Sequence, residues 1–544
     1  MERLGIECIF GMPGAHILPV YDSLYDSSIR AILAKHEQGA SFMACGFTRA
    51  SGKIGACIST AGPGATNLVT GVANAYVDRQ PMLVITGETS TPIFGRGGLQ
   101  ESSGEGGSVD QQALFSSITL YSKLVERTDY LANVLNRAAK LLQAQSSGPV
   151  LLSFPFNLQK ELIDEAVLDD IRFDPPDTRC AVAPPAADDM VDLIAAARHP
   201  VIIAGYGCLL ADAQQQLSSL SKTYNIPVTS SLKGKGAIDE SAALSLGSVG
   251  VTSYTQARDY IVEHADLLII LGASLNERTS YVWDRKLMAD KKRVQVDINA
   301  EQLEKVIRAD VAIQADIGVV LDHVLEQLQR RNVRPRQLAT LPEKPLKPSP
   351  VDRETDIQEL QEKFPLVEQF FNCLGRYFQS GIQVFDDNII FAQNFFNVSV
   401  DNRFYSNSGV SSLGHAIPAA IGARFAETRP TFAVIGDGGF QMCCMELMTA
   451  VNYQIPVNVL LLNNSSMGLI RKNQHQQYHQ RFINCDFVNP DYPMLAKSFG
   501  INHYRIDNEQ DLHQLFTQAD LADSINLIEI VLDKHVFPNY QSRR

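Results

Sequence analysis

Between residues 431 and 464 the chain runs through an apolar segment, Thr431–Ile435, a glycine turn, Gly436-Asp-Gly-Gly439, a helical stretch, Gln441–Tyr453, and a second apolar segment, Val457–Leu462. Two short strands joined through a helix pair in parallel, by a right-handed crossover. That excludes a hairpin here and points to an open sheet with helices on its faces. The same grammar recurs upstream. Ala31–Ala34, Ile54–Ser59 and Met82–Thr86 read as strands alternating with helical stretches Gln38–Ala50 and Asn67–Val77, while Val201–Ala204, Leu267–Leu271 and Val294–Ile298 read as strands of a middle part.

Two proline-rich stretches, Phe173–Pro185 and Val333–Pro350, suit neither helices nor central strands and read as linkers. The expectation is an α/β fold of three doubly wound parallel-sheet domains, at 1–165, 186–332 and 351–544. The outer two share a detail: a helix ending Ala75-x5-Pro81 before a strand in one, and Ala450-x5-Pro456 before a strand in the other. Duplication explains it, and so does the common placement of proline after a helix end.

Composition narrows the partners. Lys plus Arg number 47 against 60 for Asp plus Glu, a net charge of −13. That balance argues against nucleic acid and against an anionic membrane surface, and makes small molecules the expected partners. No apolar run approaches the eighteen residues of a membrane span, the first residues lack a basic-then-apolar leader, and nine cysteines include no C-x-x-C pair. A reducing, cytoplasmic setting is expected.

Chemistry concentrates where the strands end. Asp437 and Asn464 are 27 residues apart, one crossover, so both emerge at the carboxyl edge of one sheet, where open α/β sheets bind ligands. The Asp437 carboxylate, the Asn464 amide oxygen and the main-chain carbonyl of Ser466 are three hard oxygen donors suited to Mg²⁺, whose remaining partners are usually phosphate oxygens. The helix opening at Gly438 and Gly439 turns free N–H groups toward the same anion. A Gly-Asp-Gly turn alone is ordinary. Between a strand and a helix, with Asn463-Asn464 after the next strand, it resembles the diphosphate motif of the thiamine-diphosphate enzymes.

The resemblance extends through the chain. Phe10-Gly-Met-Pro-Gly14, the run from His36 to Lys53, Ser59–Asn67, Val84–Glu88 and Leu413–Ala423 are similar, segment for segment, to the acetohydroxyacid (acetolactate) synthase family. This implies thiamine diphosphate and Mg²⁺ as cofactors, with Asp437, Asn464 and Ser466 as metal ligands and Pro13, Gly62, Pro63, Asn67, Leu413, Gly436, Gly438, Gly439 and Met467 around the cofactor. Glu37 becomes the carboxylate that drives the aminopyrimidine tautomer shift, a task favoured by burial; its plain alternative is an acidic residue at a helix start. Leu413 would wedge the cofactor into its bent form, or is simply core. Gln100 and His415 complete the expected catalytic set. The resemblance also implies a homodimer or homotetramer with sites at the subunit interface.

Four departures limit the carry-over. The family's Phe-Gln-Glu triplet is here Leu99-Gln100-Glu101, followed by an added, glycine-bearing stretch, Ser102–Gly107, read as flexible. Asn473 stands where synthases preferring 2-oxobutyrate carry Trp. His415 stands near the thiazolium, where an aromatic or small residue is usual, and reads as a neutral structural histidine or a proton-transfer group. The middle part reads Leu271-Gly-Ala-Ser-Leu-Asn-Glu-Arg278, keeping one of the arginines of FAD-binding members, and Ala204-Gly-Tyr-Gly207 is not a dinucleotide fingerprint, so FAD stays an open question. His475 and His479 read as solvated residues. The implied activity is decarboxylation of a 2-oxo acid, pyruvate first, with transfer of the carbanion to an acceptor carbonyl. A plain 2-oxo-acid decarboxylase, a specialised carboligase with a larger acceptor, and a silent binding homologue remain alternatives.

Overall fold

The structure, a computed structural model, describes residues 1–171, 184–253, 255–338, 341, 362–378 and 381–538. The linker at 173–185 up to residue 183, most of that at 333–350, and residues 351–361 and 539–544 of the expected third domain lie outside the described residues.

Three six-stranded sheets follow one another. The first holds β1 (Cys8–Gly11), β2 (Arg30–Leu33), β3 (Gly55–Ser59), β4 (Met82–Glu88), β5 (Tyr121–Leu124) and β6 (Pro149–Pro155). The middle one holds β7 (Pro200–Ala204), β8 (Val228–Ser231), β9 (Ser245–Val249), β10 (Leu267–Leu271), β11 (Lys292–Asp297) and β12 (Val311–Gln314). The third holds β13 (Gln383–Asp386), β14 (Arg403–Ser406), β15 (Thr431–Gly436), β16 (Val457–Asn463), β17 (Asn502–Ile506) and β18 (Ile525–Val531). Every paired strand is parallel, which explains why the strands read as unbroken apolar runs: β4, β10 and most of β16 are buried on both faces.

Strand order separates the sheets into two kinds. The first runs β2-β1-β3-β4-β6-β5 and the third β14-β13-β15-β16-β18-β17, the same order position for position. Duplication of the outer sheets, suggested by the shared Ala-x5-Pro pattern, therefore has a counterpart in topology. The middle sheet runs β12-β11-β10-β7-β8-β9, a doubly wound order whose switch point lies between β7 and β10.

The outer sheets share a core. The helix Glu37–Ser51 is buried at every position from Gly39 to Thr48, and it packs on the helix Ala416–Ala426, itself almost wholly buried. Two glycines allow the contact. A Cβ on Gly46 would stand 1.9 Å from the Ala419 carbonyl oxygen, and one on Gly422 would stand 2.0 Å from that of Met43. One element departs from the sequence reading. The stretch expected as a single helix Gln441–Tyr453 begins at Asp437, breaks into a 3-10 turn at Cys444–Glu446 and resumes as Leu447–Tyr453. The break directs the Glu446 carboxylate onto the first domain.

Candidate active site

At the carboxyl edge of the first sheet, β2 leads into the helix Glu37–Ser51 through a fixed corner. The ring of His36 caps the helix by accepting the Gln38 N–H, and the buried Glu446 carboxylate accepts the N–H groups of Lys35 and His36 at 3.1 and 3.0 Å. Burial pushes the Glu446 carboxyl above its ordinary range, against the pull of these hydrogen bonds. Glu37, the first residue of the helix, accepts the Asn67 amide N–H at 3.0 Å. Asn67 comes from the helix Pro63–Val77, which starts from Gly62 at φ 63°, a conformation that favours glycine. Glu37 is only partly buried in the single chain.

Gln100 belongs to the same edge. It holds φ +56°, in the left-handed region, and a Cβ on Gly62 would lie 3.1 Å from the Gln100 Cβ. Its Oε1 takes the Thr60 hydroxyl at 3.3 Å and lies 3.2 Å from His16 Nδ1. Gly14 packs directly on Thr60, bringing the turn that carries Pro13 to this edge, with Pro13 itself exposed. The stretch from Gly95 to Ser103 is built around an anion, whereas Gly104, Gly106 and Gly107 of the added stretch are exposed. Glu101 accepts the N–H groups of Gly95, Gly97 and Gly98 at 2.5, 3.0 and 2.9 Å and the Ser103 hydroxyl at 2.8 Å, and these bonds hold its carboxyl below the usual range. Ser102 closes the loop onto the glycine turn by accepting the Gly62 N–H.

At the matching edge of the third sheet, β15 and β16 are neighbours, with Gly436 in register with Leu462, so Asp437 faces the end of β16. The buried Asp437 carboxylate accepts N–H groups of Gly438, Asn464 and Ser465 and the side-chain amide of Asn489, at 3.0, 3.2, 2.5 and 2.9 Å. Burial raises its pKa and these bonds oppose the rise. All four donors are neutral, so the carboxylate has no cationic side chain among them. The Asn464 amide oxygen accepts the Ser466 N–H, and the Ser466 hydroxyl is buried without a partner among the described residues. A Cβ on Gly438 would stand 2.5 Å from the Met467 sulfur, so the turn is a narrow cradle of N–H groups. A divalent cation with a diphosphate fits this donor set: hard oxygens, an uncompensated carboxylate and a helix start.

The chain also matches three family descriptions in order. Residues 1–114 match the N-terminal TPP binding domain of thiamine pyrophosphate enzymes, residues 187–326 their central domain, and residues 388–530 their C-terminal TPP binding domain. A probable acetolactate synthase large subunit of Methanocaldococcus jannaschii is 31% identical over 98% of this chain and 90% of its own length. The acetolactate synthase large subunit of Lactococcus lactis is 30% identical over 99% and 92%, and the isozyme 1 large subunit of Escherichia coli 31% identical over 99% and 94%. The chain belongs to the acetolactate synthase-like thiamine pyrophosphate enzymes.

In this acetolactate synthase-like enzyme the two sheet edges gather most of the sequence-derived residues: Glu37, Gly62, Asn67 and Gln100 on the first, and Gly436, Asp437, Gly438, Gly439, Asn464, Ser466 and Met467 on the third. Leu413, partly buried, precedes Gly414 at φ +81°, whose Cβ position is 3.2 Å from the Met442 side chain. His415 is placed differently from a proton relay. Its ring is fully buried against Phe42, centroids 5.0 Å apart, with both nitrogens unpartnered among the described residues. Burial pulls its pKa down to about 3, so it is a neutral ring inside the domain interface. Beside it, Asp387 caps the following helix by accepting the N–H groups of Gly414 and His415.

The middle sheet gives no dinucleotide cradle at its switch point. A Cβ on Gly205 would be 2.1 Å from the Gly272 carbonyl oxygen and one on Gly207 2.7 Å from the Gly272 Cα, so these glycines serve a close approach of two backbone turns. Arg278 reaches Asn388 of the third domain at 3.4 Å. The glycines present there do not fit a flavin fingerprint. Four residues escaped the sequence reading: His16, Asn489, Glu446 and Asp387. His16 follows a glycine turn already singled out, and that was its only signal. Asn489 had none, 52 residues from the carboxylate it serves.

Proposed function

We propose that this enzyme is a carboligase that decarboxylates a 2-oxo acid, pyruvate first among candidates, and couples the remaining fragment to an acceptor carbonyl. The carrying observation is the retention of both halves of the chemistry, Glu37 with Asn67 on one sheet edge and Asp437 with Asn464 on its topological twin. Bound thiamine diphosphate would supply a thiazolium carbon able to add to the 2-oxo group and hold the electrons left when CO₂ departs. Asp437, Asn464 and the Ser466 carbonyl would hold Mg²⁺, with Gly436, Gly438, Gly439 and Met467 around the diphosphate. Glu37, anchored by its helix start and by Glu446, would share a proton with the aminopyrimidine; Gln100 would orient substrate. Gly62, Pro63, Pro13 and Leu413 would shape the pocket. No step is assigned to FAD.

The domains would divide this work as 1–165, 186–332 and 351–544, with the outer two carrying chemistry. A second copy is expected to complete each site, as a homodimer or homotetramer. Apolar side chains stand exposed around the Asp437 edge, among them Met442 at 59%, Met445 at 55% and Ile483 at 68%, and a covering partner would account for both them and the half-open Glu37. No described helix is long and apolar enough to cross a membrane, and a cytoplasmic location is proposed.

One observation favours the specialised-acceptor reading over branched-chain precursor synthesis. Asn473 stands where synthases preferring 2-oxobutyrate carry Trp, which takes away an apolar wall for such an acceptor, and its side-chain oxygen is buried without a partner among the described residues. The test is incubation with thiamine diphosphate, Mg²⁺ and a panel of 2-oxo acids, reading CO₂ and product mass together. A coupled hydroxyketone supports ligation, an aldehyde alone indicates decarboxylation, and no consumption of any 2-oxo acid defeats both. Glu37→Gln should lower turnover by about 10²–10⁴-fold or more while cofactor affinity changes little. Wild-type turnover in that variant would remove Glu37 from the scheme.

A further inference from the structure

His16 is a titratable side chain on the first sheet edge that the scheme above does not use. It follows the turn after β1, and its main chain is pinned on three sides. Its N–H donates to Thr60 Oγ1 at 3.3 Å, its carbonyl accepts from Gln159 Nε2 at 2.7 Å, and Gly87 at the end of β4 lies so close that a Cβ there would stand 2.2 Å from the same carbonyl. The ring packs edge-on against Phe156, centroids 6.3 Å apart. Such fixing suits a group whose ring position matters more than its mobility.

The hydrogen bonds set the tautomer. Thr60 Oγ1 accepts the His16 N–H and donates its own proton to Gln100 Oε1. The second contact of that oxygen, with His16 Nδ1 at 3.2 Å, therefore requires the proton on Nδ1. Nε2 is left to take or give a proton, and the Gln100 NH₂ is left to donate. Gln100 is held for this at φ +56°, a conformation uncommon outside glycine. The cluster borders the activating carboxylate: the Cβ position of Gly64 is 2.9 Å from Thr60 Cγ2 and 3.5 Å from Glu37 Oε1.

We infer that His16, oriented by an Nδ1–H bond to Gln100 and protonated at Nε2 for the step, supplies the proton taken up by the acceptor's carbonyl oxygen during coupling, an inference that rests on the carboligase reading. As the new C–C bond forms, the π bond of the acceptor carbonyl breaks and its electron pair moves to oxygen. That oxygen takes the Nε2 proton of the His16 imidazolium, leaving neutral imidazole, which the partly exposed ring recovers from water. The Gln100 NH₂ donates to the same oxygen. The acceptor class that follows is a carbonyl compound, ketone or aldehyde, read through that oxygen.

The experiment measures coupled product per CO₂ released by wild type, His16→Gln and His16→Asn, with ¹⁵N-histidine spectra of the full chain, where His16 is assigned by its loss in His16→Gln. The coupled product per CO₂ should fall by about 10²-fold or more in both His16 variants. In the spectra, His16 should be the Nδ1–H tautomer, and Gln100→Ala should shift it toward Nε2–H. An unchanged product ratio, or a tautomer indifferent to Gln100→Ala, overturns the inference. Absence of CO₂ release from wild type with every 2-oxo acid overturns the carboligase reading instead, and the tautomer measurement still judges the His16–Gln100 arrangement.

Discussion

The middle and third sheets each place a glycine turn between a buried strand and a helix, and the two turns do opposite things. Gly205-Tyr-Gly207 lies against Gly272, and neighbouring backbone stands where the missing side chains would be. Gly436-Asp-Gly-Gly439 instead faces the end of β16, a carboxylate ringed by neutral donors and a cradle limited by the Met467 side chain. The difference lies in what faces the glycine. Missing Cβ atoms can admit a phosphate or a neighbouring strand's backbone, and only the facing residues decide which.

Mutations can break that comparison, beginning with the largest effect. Asp437→Ala should abolish Mg²⁺-supported cofactor binding, beyond the roughly 10–100-fold typical of residues that only support a ligand. Calorimetric titration with and without chelator checks it; unchanged affinity would make the third turn as silent as the middle one. Asn489→Ala should weaken the same binding by about 10–100-fold, because it frees the Asp437 carboxylate from one side. Gly207→Ala should cost about 1–3 kcal/mol of stability in denaturant unfolding and leave cofactor affinity alone, since its methyl meets the Gly272 backbone and the Ile317 side chain. A change in cofactor affinity there would reopen the middle sheet as a site.

A pH slope probes the third domain beside these turns. Burial raises Asp386 to about 7 from an ordinary 3.8 and Asp387 to about 6. Their folded forms hold protons more tightly than the unfolded chain does, so this contribution to stability is present at low pH and lost as pH rises through those values. Melting temperature of the cofactor-free protein should decline from pH 4 to 8, and Asp386→Asn should flatten the decline. An identical slope in the variant would remove Asp386 as its source.

Periodicity made the architecture legible. Strands such as Leu267–Leu271 matched residue for residue, and parallel pairing followed from strand, helix and strand in sequence. Asp437 and Asn464 were legible for the same reason, since adjacent parallel strands one crossover apart deliver both to one edge. Signals that depend on tertiary neighbours were not. Glu446 looked like a mid-helix residue until the 3-10 turn swung it onto Lys35 and His36, and Asn489 reaches Asp437 from a distant segment. His415 stayed open between a neutral structural ring and a proton-transfer group, because only tertiary neighbours decide which side of a domain interface the ring enters. The glycines whose N–H groups Glu101 collects, Gly95, Gly97 and Gly98, stand before the added stretch, and nothing in their spacing announced that carboxylate as their partner.

The crossing of the helices Glu37–Ser51 and Ala416–Ala426 has a mechanical consequence. With carbonyl oxygens of Ala419 and Met43 standing where side chains would be, neither helix can slide or lift without tearing a hole in the core both domains share. The outer domains of one chain must travel as a single rigid frame. Substrate entry and exit would then need a route that leaves this contact intact, rather than jaws opening between those two domains.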